Sequence, residues 1–298
     1  AQVSYGNFFY NAVGIGRAID LTSEDVNLNV LPTFHAGGLG LYAGPILHAG
    51  GTLIVMRAFD PGEFLWLMEE WRVTALLLVP SIYLMLAQYP EFDKYDLSSV
   101  RSWGSGGSAL PPSLVQRYAE KGIIIQQGFG MTEFGPGVFA LAPEDAIRKA
   151  GSIGRPTFYT GARIVDEDNQ PLGPDQVGEL VLKGPTAAAG YFNNPEASAA
   201  ALDEQGWFHT GDLARMDADG ELYIVERKKD MFISGGENVS SVEVEGALMH
   251  HPAVMLAAVV AKPDEKWGEV PCAFVELKDG HSAEIESALE IDCREVLS

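Results

Sequence analysis

Three short segments of the sequence combine glycines with side chains that could hold a nucleotide. The first, residues 104–108 (GSGGS), lies between an apolar run typical of a strand and a helix that begins after Pro111 and Pro112. Glycines at such a junction let a ligand approach the backbone, and the start of a helix offers unpaired N–H groups. A plain loop at a strand end is the alternative interpretation, and this segment alone leaves both open.

The second segment, residues 128–133 (GFGMTE), also follows an apolar run. Phe129 could stack on a base, Thr132 could hydrogen-bond a phosphate, and Glu133 could hold a magnesium ion. Strand ends in open sheets are where ligands bind. The competing interpretation is a helix N-terminus, with Thr132 as its cap and Glu133 near the positive end of the helix dipole. The segment alone favours neither.

The third segment, residues 207–212 (WFHTGD), ends on Asp212 after Gly211. A carboxylate that follows a tight glycine turn can accept hydrogen bonds from both hydroxyls of a ribose. An aspartate in such a place is otherwise a turn former. Both interpretations stay open here.

The elements around the first two segments alternate between strands and helices. Apolar runs predict strands at 52–56, 75–79, 100–103 and 123–126, and helices are predicted to begin near Gly37, Asp60, Ser81 and Pro111. The uninterrupted run at 75–79 is typical of a parallel strand buried on both faces. This alternation predicts a doubly wound parallel sheet, with the glycine segments at its strand ends.

The pattern changes after Gly151 and again after the charged segment 226–230. Short strands at 162–166, 178–183 and 221–225 are separated by turn residues and predict an antiparallel sheet or small barrel. A helix at 242–249, strands at 254–261 and 273–277, and a helix at 283–296 predict a small α+β domain. The predicted fold class is therefore α/β: a doubly wound parallel sheet plus an antiparallel β-barrel-like subdomain, followed by a small α+β C-terminal domain. The predicted boundaries are 1–150, 151–228 and 229–298.

Composition excludes several classes of function. A net charge of −21 over 298 residues argues against nucleic acid as a partner, since phosphate binding needs a basic surface. The apolar runs are too short for a transmembrane segment. Cys272 and Cys293 are the only cysteines, which fits a reduced cytoplasmic protein without structural disulfides. The sequence leaves a homodimer open.

Taken together, the segments occur in a fixed order with further motifs along nearly the whole chain. In this respect the sequence resembles the acyl- and aryl-CoA synthetases of the adenylate-forming superfamily, and most closely the fatty-acyl-CoA ligase branch. The motifs that carry the resemblance are residues 31–35 (LPTFH), 105–111 (SGGSALP), 127–133 (QGFGMTE), 151–156 (GSIGRP), 184–191, 206–212 (GWFHTGD), 227–238 (RKKDMFISGGEN) and 263–269 (PDEKWGE).

The resemblance implies ATP and Mg²⁺ as ligands of the first two segments. Phe129 stands where the family usually has a stacking tyrosine, Thr132 would contact phosphate, and Glu133 would hold the metal. Asp212 and Arg227 would hold the ribose hydroxyls. The residues implied to border the adenine or to frame the nucleotide are Gly106, Gly107, Ser108, Gln127, Gly128, Gly130 and Met131.

The resemblance also implies coenzyme A as co-substrate and a small-molecule carboxylic acid as substrate. Lys229 would be the hinge between adenylation and thioester formation, and Gly235 would face the pantetheine tunnel. His35 and Gly106 would lie near the acyl pocket. The implied reaction converts a carboxylic acid, of medium or long chain, to acyl-AMP and then to acyl-CoA, with AMP and pyrophosphate as the other products.

Besides Phe129, the sequence departs from the family pattern in four places. Glu226 replaces the usual glycine before Arg227, and Ser108 replaces the usual alanine. Neither a Thr-Ser-Gly-Thr-Thr-Gly-type phosphate loop nor a Pro-Arg-Thr-x-x-Gly-Lys segment occurs. We therefore expect the chain to be a stretch of a longer enzyme that binds nucleotide weakly and turns over poorly. The alternatives are an enzyme that loads a carrier-protein thiol and a non-catalytic nucleotide- or acyl-binding fragment.

Overall fold

The computed structural model describes residues 1–228, 231–234, 237–264, 266–278, 280, 285, 288–290 and 293. Three sheets run along the chain in order, and each contains strands that are close in sequence. The predicted fold class is confirmed: a largely parallel sheet with helices is followed by an antiparallel sheet and by a small α+β unit.

The first sheet has the strand order β2-β1-β3-β4-β5-β6-β7. Strands β1 to β5 are parallel, and β6 and β7 continue the sheet antiparallel. The strands are Val26–Asn29 (β1), Thr52–Val55 (β2), Ala75–Leu78 (β3), Ser102–Ser105 (β4), Ile125–Phe129 (β5), Phe139–Ala140 (β6) and Arg155–Pro156 (β7). The helices are Tyr5–Ala18 (α1), Ala43–Ala49 (α2), Pro61–Glu70 (α3), Pro80–Gln88 (α4) and Pro112–Ala119 (α5), with a π-helical turn at Gly37–Leu41 and 3-10 turns at Phe92–Lys94 and Thr132–Phe134.

Both faces of this sheet are covered by apolar side chains. All four residues of β3 are buried, as the uninterrupted apolar run predicts. Leu76 and Leu78 pack on one face in the core that includes Phe64 from α3, while Leu77 faces a second core that includes Ile46 from α2. Full burial of each such side chain stabilises the fold by about 1.5–3 kcal/mol, so the sheet is a rigid base for the loops at its strand ends.

Helix α1 was not predicted, and it ties the loops of the first sheet together. Ser4 and Asn7 form a capping box at its start, with the Asn7 N–H donating to Ser4 Oγ at 3.2 Å. Further along, Asn11 Nδ2 donates to the Gly40 carbonyl oxygen at 2.6 Å, and the Gly137 N–H donates to Asn11 Oδ1 at 2.9 Å. One buried amide therefore joins the π-helical turn to the loop after β5.

The second sheet is antiparallel, with the order β11-β10-β9-β8. Its core contains Ile164, Leu180 and Leu182, which pack with Phe134 and Phe139 from the first sheet's edge. The strands are Gly161–Val165 (β8), Gly178–Lys183 (β9), Phe208–Met216 (β10) and Leu222–Arg227 (β11), and helix α6 is Pro195–Ala201.

The third sheet and one helix form what we call the C-terminal unit, with the strand order β13-β12-β15-β14. Helix α7 packs on β14, and Ser240 caps α7 by accepting a hydrogen bond from the Glu243 N–H at 3.2 Å. The elements are Phe232–Ser234 (β12), Glu237–Val239 (β13), Ser241–His250 (α7), Val254–Asp264 (β14) and Gly268–Leu277 (β15). Most of the predicted helix at 283–296 lies outside the described residues. Within the described chain, every helix is too short or too polar to cross a membrane.

Candidate active site

A cleft of about 370 Å³ lies where the carboxyl ends of β3, β4 and β5 meet. A larger cavity, of about 540 Å³, lies near the amino ends of β4 and β5 but contains none of the predicted site residues. Chemistry rather than volume therefore identifies the candidate site. The predicted site residues that line the cleft are His35, Gly106, Gly107, Gly128, Phe129, Gly130, Met131, Thr132, Glu133 and Arg227.

The first glycine segment leaves β4 and turns over the end of β3. The Gly106 N–H donates to the Leu78 carbonyl oxygen at 3.3 Å, and Gly107 has φ of +87°, a conformation that favours glycine. Ser108 is exposed and does not line the cleft. The structure thus brings Gly106 and Gly107 to the cleft as backbone surface, while Ser108 points elsewhere along the loop.

Gln127 supports this loop from below. Its side chain is buried, and Oε1 accepts a hydrogen bond from the Leu110 N–H at 3.0 Å. Its own carbonyl oxygen accepts from the Leu141 N–H at 2.9 Å. Gln127 does not line the cleft, and its side chain instead holds the segment 106–110 against β5.

The glycines of the second segment are required by the strand that follows it. A Cβ atom on Gly128 would lie 2.7 Å from the Phe139 carbonyl oxygen, and one on Gly130 would lie 1.6 Å from the Pro136 carbonyl oxygen. Phe129 is half-buried, with its ring edge-on to Phe139 at 5.9 Å between centroids. The backbone therefore folds back tightly and leaves the Phe129 ring at the cleft wall.

The helix interpretation of the second segment is wrong, since β5 leads into a 3-10 turn, Thr132–Phe134, and not into a helix. Thr132 is exposed at the cleft and makes no side-chain cap. Gly135, with φ of +72°, then reverses the chain into the antiparallel strand β6. Thr132 and Glu133 are thereby presented on a short turn at the cleft edge.

Glu133 is anchored by a residue that the sequence analysis did not single out. Tyr191 donates its hydroxyl to Glu133 Oε1 at 3.2 Å, and the Ala188 N–H donates to the Glu133 carbonyl oxygen at 2.7 Å. Burial and the nearby Glu133 carboxylate raise the pKa of Tyr191, which keeps it a donor. The only signal for this contact is that both residues belong to motifs that carry the resemblance.

A magnesium ion at Glu133 would need ligands from outside the protein. In the described residues no group of three or more histidine, cysteine, aspartate or glutamate side chains is placed to hold a metal. Magnesium characteristically binds through one or two carboxylates, with phosphate oxygens and waters completing its shell. A single carboxylate at the cleft edge fits that pattern if a nucleotide supplies the phosphates.

Asp212 and Arg227 meet on neighbouring strands. They are register partners of β10 and β11, and Arg227 Nε lies 2.7 Å from Asp212 Oδ1. Asp212 is 1% exposed, and within the described part of the chain its Oδ2 has no hydrogen-bond partner. Burial raises the pKa of Asp212, although the Arg227 charge opposes this. A buried acceptor without a donor is costly. Asp212 does not itself line the cleft, so a ligand hydroxyl would satisfy Oδ2 only after the Arg227 side chain moves.

A second carboxylate, Glu179, supports the backbone around Asp212. The Gly211 N–H donates to Glu179 Oε1 at 3.1 Å, while His209 Nδ1 and Lys228 Nζ lie 3.3 Å and 3.2 Å from Oε2. Burial alone would raise the pKa of Glu179, but the hydrogen bonds from His209 and Lys228 lower it. Glu179 could not be predicted from the sequence, because a glutamate in a strand carries no motif signal.

Apolar side chains form part of the cleft lining, which we call the apolar wall. They are Leu31, Leu41, Leu77, Val79 and Pro136, and the lining also includes His35 and Gly106, the two residues predicted near an acyl pocket. His35 is exposed, and its Nδ1 accepts from the Gly37 N–H at 3.1 Å. Two further predicted residues, Lys229 and Gly235, lie outside the described residues.

Comparisons with known proteins place this geometry in context. The family model "AMP-binding enzyme" matches residues 1–192, and "AMP-binding enzyme C-terminal domain" matches residues 243–298. Feruloyl-CoA synthase of an Amycolatopsis species is 42% identical over 280 residues, which are 94% of this chain and 57% of that protein. A medium/long-chain-fatty-acid–CoA ligase of Mycobacterium tuberculosis is 40% identical over 267 residues, 89% of this chain and 46% of that protein.

Among solved structures, o-succinylbenzoate CoA synthetase from Bacillus subtilis in complex with its acyl-adenylate intermediate superposes with a TM-score of 0.89. It is 35% identical, and the match covers 100% of this chain and 60% of that one. The chain thus spans 57% of the length of the feruloyl-CoA synthase it matches.

Proposed function

Because the chain belongs to the AMP-binding enzyme family, the adenylate-forming superfamily, we propose that it serves the ATP-dependent activation of a carboxylic acid and transfer of the acyl group to coenzyme A. One observation carries the proposal: buried Asp212 offers an unpartnered Oδ2 beside Arg227, which lines a glycine-rich cleft. A ribose supplies two neighbouring hydroxyl donors, which is what this acceptor requires.

The nucleotide would lie across the strand ends. Phe129 would stack on the adenine, and the backbone of Gly106 and Gly107 would border it. Asp212 would accept from the ribose, while exposed Thr132 would donate to phosphate. Ser108, Gln127, Gly128, Gly130 and Met131 would frame the segments that hold the nucleotide.

The proposed chemistry has two half-reactions. An oxygen of the substrate carboxylate attacks the α-phosphorus of ATP, pyrophosphate leaves, and an acyl-AMP forms. The thiol sulfur of coenzyme A then attacks the acyl carbonyl, losing its proton, and AMP leaves with the acyl-oxygen bond broken. Mg²⁺ held at Glu133 would neutralise phosphate charge when bound. The side chains mainly position the reactants and complement charge.

Roles for Lys229 and Gly235 are part of the proposal on the strength of the resemblance. Lys229 would be the hinge between the half-reactions, and Gly235 would border the path of the pantetheine arm. A cytoplasmic location and a homodimer likewise stay predictions from the sequence.

For the acid we propose a medium- or long-chain fatty acid. The support is the apolar wall. Among the residues that the structure describes, the charged side chains lining the cleft are Glu133 and Arg227, and both are assigned to the nucleotide. A neutral aromatic acid would meet the same wall, and similarity to feruloyl-CoA synthase makes it the first competitor to test. Single contacts in such a pocket change specificity by only about 1–3 kcal/mol, so a panel of acids is needed.

Two other functions stay as alternatives. One is transfer to a carrier-protein thiol in place of coenzyme A, which the sequence leaves open because acceptors are weakly encoded. A non-catalytic nucleotide- or acyl-binding role is favoured by the absence of the glycine-threonine phosphate loop and the Pro-Arg-Thr-x-x-Gly-Lys segment from this sequence. We propose that these 298 residues on their own bind nucleotide and turn over little or not at all.

Calorimetric titration of this chain tests the carrying observation. AMP should bind, and 2′-deoxy-AMP and 3′-deoxy-AMP should each bind more weakly, since each removes one donor to Asp212. Equal affinities for the three nucleotides, or no binding of AMP, would contradict the proposed ribose site.

A further inference from the structure

Glu226 is a buried carboxylate that takes four hydrogen bonds. It lies one residue before the end of β11 and is 4% exposed. Oε2 accepts from Ser240 Oγ at 2.9 Å, from Ser241 Oγ at 3.0 Å and from the Val242 N–H at 3.1 Å. Oε1 accepts from the Arg227 N–H at 3.0 Å. Both oxygens of the carboxylate are therefore used.

The donors to the two oxygens come from different parts of the molecule. Ser240, Ser241 and Val242 form the start of α7 in the C-terminal unit, where N–H groups have no partner within the helix. A carboxylate is favoured there by the helix dipole. The Arg227 N–H belongs to β11, in the sheet that carries Asp212. One side chain thus joins the C-terminal unit to the backbone of Arg227, whose residue lines the cleft.

The resemblance assigns no role to Glu226. The three hydrogen bonds to α7 need a side chain with an acceptor at this position, which a glycine there would not provide. Buried hydrogen bonds to a charged group are among the stronger single contacts in proteins, so we expect this contact to help fix the position of the C-terminal unit.

We infer that Glu226 is a positioning residue that docks the C-terminal unit on the second sheet and couples its position to nucleotide in the cleft. The coupling rests on the proposed function, since nucleotide is the ligand. Asp212 Oδ2 is buried while Arg227 holds Oδ1, so a ribose reaches the carboxylate only if the 51% exposed Arg227 side chain moves. Glu226 accepts a hydrogen bond from the backbone N–H of Arg227, so a shift of that backbone would be passed through the Glu226 carboxylate to the start of α7. The coupling is reciprocal.

Hydrogen–deuterium exchange over residues 240–246 tests the inference, with AMP as the probe. In the parent chain, saturating AMP should change the exchange rate of this segment by about fivefold or more. In Glu226→Gln the segment should exchange about tenfold faster without AMP, because the amide has no charge and only one acceptor oxygen, which cannot serve both the α7 donors and the Arg227 N–H. The AMP effect should then disappear. Glu204→Gln, at an exposed glutamate, is the matched control and should behave as the parent.

Ser241→Ala removes one donor from the other side of the contact and provides a second variant if Glu226→Gln does not fold. It should speed exchange in the same segment. Unchanged exchange in both variants without AMP overturns the docking role, and an AMP effect that persists in Glu226→Gln overturns the coupling. If calorimetry shows no AMP binding to the unmodified chain, the proposed function is contradicted, and the coupling with it. The exchange rates of the unmodified chain and the variants without AMP would still decide whether Glu226 docks the C-terminal unit.

Discussion

Arg227 and Asp212 are opposite each other on β11 and β10, and the 2.7 Å contact between Nε and Oδ1 leaves the other carboxylate oxygen without a partner in the described chain. The Asp212 carboxylate therefore has its charge paired with Arg227, while its Oδ2 still lacks a hydrogen-bond donor. Because Arg227 is half exposed and lines the cleft, the pair can open toward a ligand.

Replacing Asp212 by asparagine should weaken AMP binding. A hydrogen bond to a charged group contributes about 1.5–3 kcal/mol, so we expect the dissociation constant to rise by about 10- to 150-fold. Calorimetry with AMP measures this, and Asp175→Asn, at an exposed aspartate paired with Arg215, is the control that should change nothing. Equal affinity of the parent and Asp212→Asn would remove Asp212 from the site.

Nucleoside binding should weaken at low pH because of the same residue. Burial raises the pKa of Asp212 above its ordinary value of 3.8, so the folded chain protonates this carboxyl sooner than a free one. The ionised acceptor, and with it the affinity, is present at neutral pH and is lost as pH falls through the raised pKa. Adenosine is the better probe, since a phosphate group titrates near pH ~6. Asp212→Asn should keep only the pH dependence that comes from the adenine ring itself, and an identical slope in both proteins would contradict the assignment.

Much of the fold could be predicted because its signals are local. The apolar run at 75–79 appears as the fully buried strand β3, and Asp60 followed by Pro61 starts α3, with the Glu63 N–H donating to Asp60 Oδ1 at 2.8 Å. Helix α1 was missed because its hydrophobic face is interrupted by Asn7 and Asn11, which are buried to hold other loops. Local pattern cannot show that a polar residue is buried by a distant partner.

The site was predicted in composition but not in detail. Both interpretations of the segment 207–212 place Asp212 after a glycine turn. In the structure Gly211 and Asp212 lie within the nine-residue strand β10, where the pairing register with β9 shifts between His209 and Leu213. A shift of this kind reorients a side chain inside a strand. Glu179 accepts from the Gly211 N–H and Tyr191 donates to Glu133, over sequence separations of 32 and 58 residues. No motif spacing reveals such contacts.

Gly130→Ala should destabilise the chain and disturb the cleft. The added Cβ would lie 1.6 Å from the Pro136 carbonyl oxygen, so the turn between β5 and β6 must shift. We expect the free energy of unfolding to fall by about 1–3 kcal/mol, measured by urea denaturation. The control is Gly16→Ala in α1, where the new Cβ would be 3.9 Å from Leu21 Cβ and helix propensity should add about 0.5–1 kcal/mol. Equal stability of the two variants would be inconsistent with this packing.

Glu226→Gln should lower stability at neutral pH and flatten its acid dependence. Burial alone would raise the pKa of Glu226, but hydrogen bonds from the Val242 and Arg227 backbone and from Ser240 and Ser241 hold it below the ordinary 4.5. Its stabilisation is therefore complete above pH 4.5 and is lost as pH falls through the lower folded-state pKa. At pH 7 the variant should lose about 1–3 kcal/mol of unfolding free energy, and the gap from the parent should close in acid. A gap that does not depend on pH would argue against an ionised Glu226.

The most direct test of the account is acid-dependent release of pyrophosphate from ATP and Mg²⁺ by the protein as its gene encodes it, over carboxylic acids of increasing chain length and aromatic acids. We predict release that requires an acid, is greatest with medium- or long-chain fatty acids, and falls about 100-fold or more in Glu133→Gln but not in Glu204→Gln. The absence of acid-dependent release, or an unchanged rate in Glu133→Gln, would contradict it.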